Sequence, residues 1–153
     1  MKKSLVVVVW ALVTFLGACK ISTPGKIETR AAQTAKKVTV GGKDWKNPVP
    51  NTNEALETGA AYFRQYCQAC HGADGHRTGV LFADTMSPPV PDLASEDVQD
   101  YTDGQLKWVI QNGIRFTGMP GWEGILKDEE MWYMVRYIRN LPVPLDASEA
   151  MRK

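Results

Sequence analysis

Cys67-Gln68-Ala69-Cys70-His71-Gly72 is the stretch on which the reading of this 153-residue chain turns. Two thiols three positions apart, followed at once by a histidine, form the C-x-x-C-H pattern of covalent haem attachment. The spacing has a chemical reason. On one helical turn each thiol can add to one vinyl group, giving two thioether bonds, and the adjacent imidazole is placed to bind the iron. The opposite axial position then needs a ligand of its own. Other uses of C-x-x-C fit less well. A thioredoxin-like pair sits in a βαβ pattern, and none is legible around this one. Structural zinc takes four protein ligands, and Cys67, Cys70, His71 and His76 are bunched too tightly for the usual two-pair layout. A disulfide between Cys67 and Cys70 would close a very short, strained loop.

Upstream of the motif, Asn53 reads as a helix N-cap, with Glu54 and Glu57 in the first turn where negative charge suits the dipole. Gly59 and Phe63 follow four residues apart, on one face. A glycine inside a helix costs roughly 1 kcal/mol against alanine, so Gly59 predicts close approach by another helix. With Tyr66 and the motif itself, this run resembles the class I cytochromes c. In that family a glycine and an aromatic at these offsets form the crossing with the C-terminal helix. Gly59 is then expected against the C-terminal helix near Trp132 or Val135, with Phe63 and Tyr137 close by.

Downstream, Gly72, Gly75 and Gly79 keep the chain in loops. His76, the other histidine, follows His71 too closely to reach the opposite haem face, and is expected in solvent. The run Met86-Ser87-Pro88-Pro89-Val90-Pro91-Asp92-Leu93 should be extended, because each proline fixes φ and lacks a donor. In the family resembled, a proline carbonyl here accepts the proximal imidazole proton and tunes the iron. Pro88, Pro89 and Pro91 are all candidates. Thr102-Asp103-Gly104-Gln105 reads as a capping box that opens a helix closed by Asn112-Gly113. The next run, Gly113-Ile114-Arg115-Phe116-Thr117-Gly118-Met119-Pro120-Gly121-Trp122, is similar to the distal loop of bacterial class I cytochromes, where the methionine before the proline binds iron. A methionine is usually core filler. The resemblance makes Met119 the second axial ligand. Asp128-Glu129-Glu130 opens a last helix with an apolar stripe at Met131, Trp132, Val135 and Ile138, ended by Asn140-Leu141-Pro142.

The N-terminal part has a different character. Met1-Lys2-Lys3 and the apolar run 5–16 have the form and length of a signal peptide, and the run is short for a membrane span. Leu16-Gly17-Ala18-Cys19 resembles the lipobox of bacterial lipoproteins, which implies cleavage before Cys19 and its acylation. Residues 20–53 carry seven Lys/Arg against two acids, and residues 54–153 carry nine against fifteen. An acidic body gives no footing for nucleic acid. The densest acidic run, Asp92, Glu96, Asp97, Asp100 and Asp103, is either a docking face for a basic redox partner or a merely solvated surface.

The sequence thus predicts residues 1–18 as signal peptide and 19–53 as a lipid-anchored flexible tether, with Trp45 able to dock on the domain. Residues 54–141 form the domain and 142–153 a tail. The fold expected from the resemblance is all-α, with about three main helices around one covalent haem c. Cys67 and Cys70 are the expected anchors and His71 and Met119 the axial ligands. The expected function is one-electron transfer on the periplasmic side of a bacterial membrane, with redox proteins as partners and no enzymatic activity of its own. Two alternatives are a haem subunit of a respiratory or dehydrogenase complex, and small-ligand binding at the iron if Met119 is displaced.

Overall fold

A computed structural model describes Gly25 and residues 39–141. The expected signal peptide, Cys19 and the tail at 142–153 lie outside the described residues. The elements run in the order α1 (Asn53–Tyr66), α2 (Gln68–His71), a 3-10 turn (Ala83–Thr85), α3 (Glu96–Gln99), α4 (Asp103–Asn112) and α5 (Asp128–Arg139). Three of these are long and two are single turns. No strand occurs among the described residues, and none of their helices is long and apolar enough to cross a membrane.

Local chemistry sets the helix ends. The first cap is Thr52 rather than Asn53: Thr52 is extended and its Oγ1 accepts the Ala55 N–H at 3.3 Å, while Asn53 is already helical. The box at α4 is complete. Thr102 Oγ1 accepts from Gln105 N at 3.2 Å, and the Gln105 side chain accepts from Thr102 N at 3.0 Å. At α5 the Glu130 carboxylate accepts the Lys127 N–H at 2.8 Å, and Arg136 and Arg139 occupy the negative end of the dipole.

The core is built where α1 packs across α5. Phe63, Met134 and Val135 are fully buried there, and the Phe63 and Tyr137 rings lie 5.1 Å apart at a tilt. Gly59 sits at the closest point. An ideal Cβ on it would lie 2.9 Å from Tyr137 Cβ and nearer still to the Tyr133 carbonyl. Its nearest neighbours there are Tyr137, as expected, and Tyr133, which stand ahead of Trp132 and Val135. Those two side chains turn into the core on another face of α5.

The segment before α1 is packed, not a free tether up to residue 53. Val49 is buried, Asn47 donates to the Trp132 carbonyl at 3.2 Å, and Thr102 Oγ1 donates to the Lys43 carbonyl at 3.1 Å. Trp45 lies on α4, where a Cβ on Gly104 would come within 2.6 Å of Trp45 Cβ. Between Trp45 and Trp132 sits Lys107, only 4% exposed, its ammonium 4.9 Å and 5.8 Å from the two ring centroids. Two cation–π contacts are worth about 0.5–2 kcal/mol each, whereas desolvating a lone ammonium costs several. The oxygens of Asp128 and Gln111 bonded to Lys107 Nζ make up the difference.

Arg139 closes the other end. Its guanidinium bonds Asp103 Oδ1 at 2.8 Å, the Gln99 carbonyl at 2.7 Å and the Tyr101 carbonyl, so the end of α5 holds the α3–α4 link. The Gly59 crossing carries a direct test. Gly59→Leu should lower unfolding free energy by about 1–3 kcal/mol or more, read from denaturant curves of the haem-loaded protein. An unchanged midpoint would remove the crossing as a constraint.

Candidate functional site

The crossing delivers the motif to one wall of a cavity. Cys67 follows α1 directly, its N–H bonded to the Phe63 carbonyl at 2.8 Å, and its Sγ lies 3.7 Å from Met134 Sδ on α5. One further turn, α2, places buried His71 on the same wall, and Gly72 at φ 77° turns the chain away. Neither cysteine is in a disulfide. Burial, and secondarily Cys70, pushes the Cys67 thiol up to about 12. A thiol–disulfide catalyst relies on a lowered thiol pKa, and Cys67 is shifted the other way.

The loop after α4 reaches the same cavity. Gly113 ends the helix at φ 69°, its N–H on the Val109 carbonyl at 2.8 Å. Ile114 N–H bonds the Met119 carbonyl at 3.1 Å, Thr117 Oγ1 donates to the Ile114 carbonyl at 2.8 Å, and Met119 N–H donates to Thr117 Oγ1 at 3.1 Å. These short-range bonds give Met119 a shaped, non-helical setting.

Cys67, Cys70, His71 and Met119 all line one cavity of about 350 Å³, as do Pro88, Pro89 and Pro91. Most of the remaining wall is apolar, including Phe63, Leu106, Ile110 and Ile138. A haem fits this set: two unpaired thiols, one imidazole, one thioether and an apolar surround. Zinc does not. Among the described residues no group of three or more His, Cys, Asp and Glu is placed to hold a metal ion.

Some expectations change here. His76 is partly buried rather than in solvent, its Nδ1 2.9 Å from Asp92 Oδ1, and Leu93 N–H bonds the Gly75 carbonyl at 2.9 Å. These contacts tie the loop after His71 to the proline run. The acidic run is likewise divided: Asp92 is held by His76 and Asp103 by Arg139, which leaves Glu96, Asp97 and Asp100 as its exposed members. Residues not foreseen also line the cavity, namely Phe82, Met86, Tyr101 and Trp122, the last edge-on to Tyr66 at 5.3 Å. Met86 stands just ahead of the proline run, and that proximity was the one signal available for it.

Residues 54–138 match the model of the family described as cytochrome c oxidase, cbb3-type, subunit III. The chain belongs to this family. Residues 54–138 form a class I, mono-haem type cytochrome c domain with covalently bound haem c, a kind of domain that transfers electrons through its haem. No curated protein matches the chain significantly. Among solved structures it is similar to a chain of the Kuenenia stuttgartiensis reducing HAO-like protein complex Kustc0457/Kustc0458, with TM-score 0.52 and 22% identity over 61% of this chain. That likeness concerns the fold, and it spans 46% of the other chain.

An apolar cavity in a small domain is a liability once its occupant is removed. Burial contributes about 25 cal/mol per Å², and the cytochrome c domain without haem loses this along its whole lining. The haem-free chain should therefore be largely unfolded or molten, with far-UV helicity and the near-UV signal both reduced. A cooperative thermal transition like that of the loaded form would contradict this.

Proposed function

We propose that this cytochrome c is a one-electron carrier rather than an enzyme, with Cys67 and Cys70 as thioether anchors and His71 and Met119 as axial ligands. What carries the reading is the convergence of these four side chains on one apolar cavity. Bound haem supplies a single-electron Fe(II)/Fe(III) couple. The chain's residues supply the rest. Paired thiols hold the macrocycle against dissociation, and His71 stands on a one-turn helix fixed by its neighbours. Met119 brings a soft thioether that favours the reduced state over a second imidazole. If His71 and Met119 both held the iron of a bound haem, they would leave no position on it for a substrate. The apolar wall excludes water, which limits reorganisation as the charge changes.

A second reading is favoured by the family's description as an oxidase subunit and by the neighbour's description as a complex: the same carrier held as a fixed subunit of a larger redox assembly. Both readings place it outside the cytoplasm, on the periplasmic side, with acylated Cys19 as membrane anchor and redox proteins as partners. Co-purification from membranes with a stoichiometric partner supports the subunit; a mono-disperse cytochrome supports the carrier.

Acid–acetone extraction should leave the pigment on the polypeptide, and Cys67→Ala or Cys70→Ala should leave one thioether or none. Freely extracted haem would end the covalent assignment. Met119→Ala should abolish the weak far-red charge-transfer band of thioether–Fe(III) and lower the reduction potential; a retained band assigns the ligand elsewhere.

The anchor is tested separately. Wild type should enter the detergent phase and Cys19→Ala the aqueous phase. Equal partitioning of the two means that Cys19 carries no lipid.

A further inference from the structure

The cavity holds a second thioether. Met86 lines it with Met119, and the Met86 terminal methyl occupies the place that a Cβ on Gly118 would take. Gly118 is not among the glycines at positive φ. A left-handed backbone is therefore not what calls for glycine there; the one atom an added Cβ would have to displace is the end of the flexible Met86 side chain. Gly118 immediately precedes Met119, so the contact is made one residue from the ligand proposed above.

The two partners are supported differently. The bonds that shape the Met119 loop run between its own members, from Ile114 to Met119 and from Thr117 to both. They fix its form, and Phe116 at its tip is 93% exposed. Met86 comes from another part of the chain. It follows the 3-10 turn Ala83–Thr85 and lies inside a loop closed by Val90 N–H on the Ala83 carbonyl at 3.0 Å. Arg77 braces that loop, its guanidinium bonded to Asp84 at 2.8 Å and to the Val90 carbonyl at 3.1 Å. A braced segment thus meets an exposed loop through one methyl group and one bare Cα.

We propose that Met86 is a positioning residue for the thioether loop: it seats Gly118 and thereby fixes Met119 at the cavity. This rests on Met119 being the axial ligand. A loop without its seat spends more time withdrawn, and an outside ligand competing for the same place gains apparent affinity in proportion to that fraction. The reach of Met86 to its terminal methyl matters here, not its sulfur, and leucine, which ends one atom short of that methyl, should restore the seat only in part.

The test is imidazole titration of the oxidised, haem-loaded full chain, followed by loss of the far-red thioether band. Met86→Ala and Gly118→Ala should each bind imidazole about tenfold more tightly than wild type, with Met86→Leu falling between Met86→Ala and wild type. Combining Met86→Ala with Gly118→Ala should bring affinity back toward wild type, because the added methyl enters the vacated space; such non-additivity marks a direct contact. If Met86→Ala fails to mature with haem, Gly118→Ala and Met86→Leu carry the same comparison. Wild-type affinity in Met86→Ala, or in Gly118→Ala, overturns the proposal while leaving Met119 as ligand. A wild type with no thioether band overturns the ligand reading itself. A band that survives Met119→Ala and vanishes in Met86→Ala makes Met86 the ligand and overturns both.

Discussion

The absence of a side chain at Gly59 is the constraint on which this fold rests. Helix interiors disfavour glycine by about 1 kcal/mol, yet any Cβ at this point would run into the Tyr133 carbonyl and Tyr137. Overpacking costs as much or more, so the glycine wins. Once α1 and α5 lie this close, Phe63 meets Tyr137, and Cys67 at the end of α1 meets Met134. The motif's position follows from the crossing and not from contacts of its own.

Two cations, Lys107 buried and Arg139 partly buried, extend that crossing to the rest of the domain. Arg139, at the end of α5, reaches Gln99, Tyr101 and Asp103, and so fixes where α4 begins. Lys107, within α4, reaches back to Asp128 at the start of α5 and stacks between Trp45 and Trp132. Neither is a surface ion pair of the weak kind. Each is hydrogen-bonded to several oxygens, which is the condition under which a buried charge is tolerated. Together they set α4 against α5 at two points, and α4 contributes Leu106 and Ile110 to the cavity wall.

What could be read from the sequence was what is local or compositional. The Thr102–Gln105 box, the stop at Gly113, the all-α content and the Gly59 crossing are written in residues a few positions apart. The four expected haem contacts were named from spacing and resemblance, and the fold brings them to one cavity. Contacts between distant segments were not legible. Nothing near Lys107 announces that a basic residue on α4 will be enclosed by two tryptophans, one from a stretch that reads as a solvated tether. His76 lacks any local sign of Asp92, and Gly118 gives none of Met86. The one-residue shift of the first cap has a simpler cause: threonine and asparagine both cap well, and Thr52 has the extended backbone the position needs.

The depth of Cys67 bears on the order of events in making this protein. In the folded chain its sulfur is packed on Met134 and its thiol is held protonated by burial, whereas Cys70 is exposed. Thiolate is the reactive form, so a chain that folded first would offer one available sulfur and hide the other. If both thiols hold the haem, attachment while α1 and α5 are still apart would find Cys67 as open as Cys70, and the crossing would close around a bond already made.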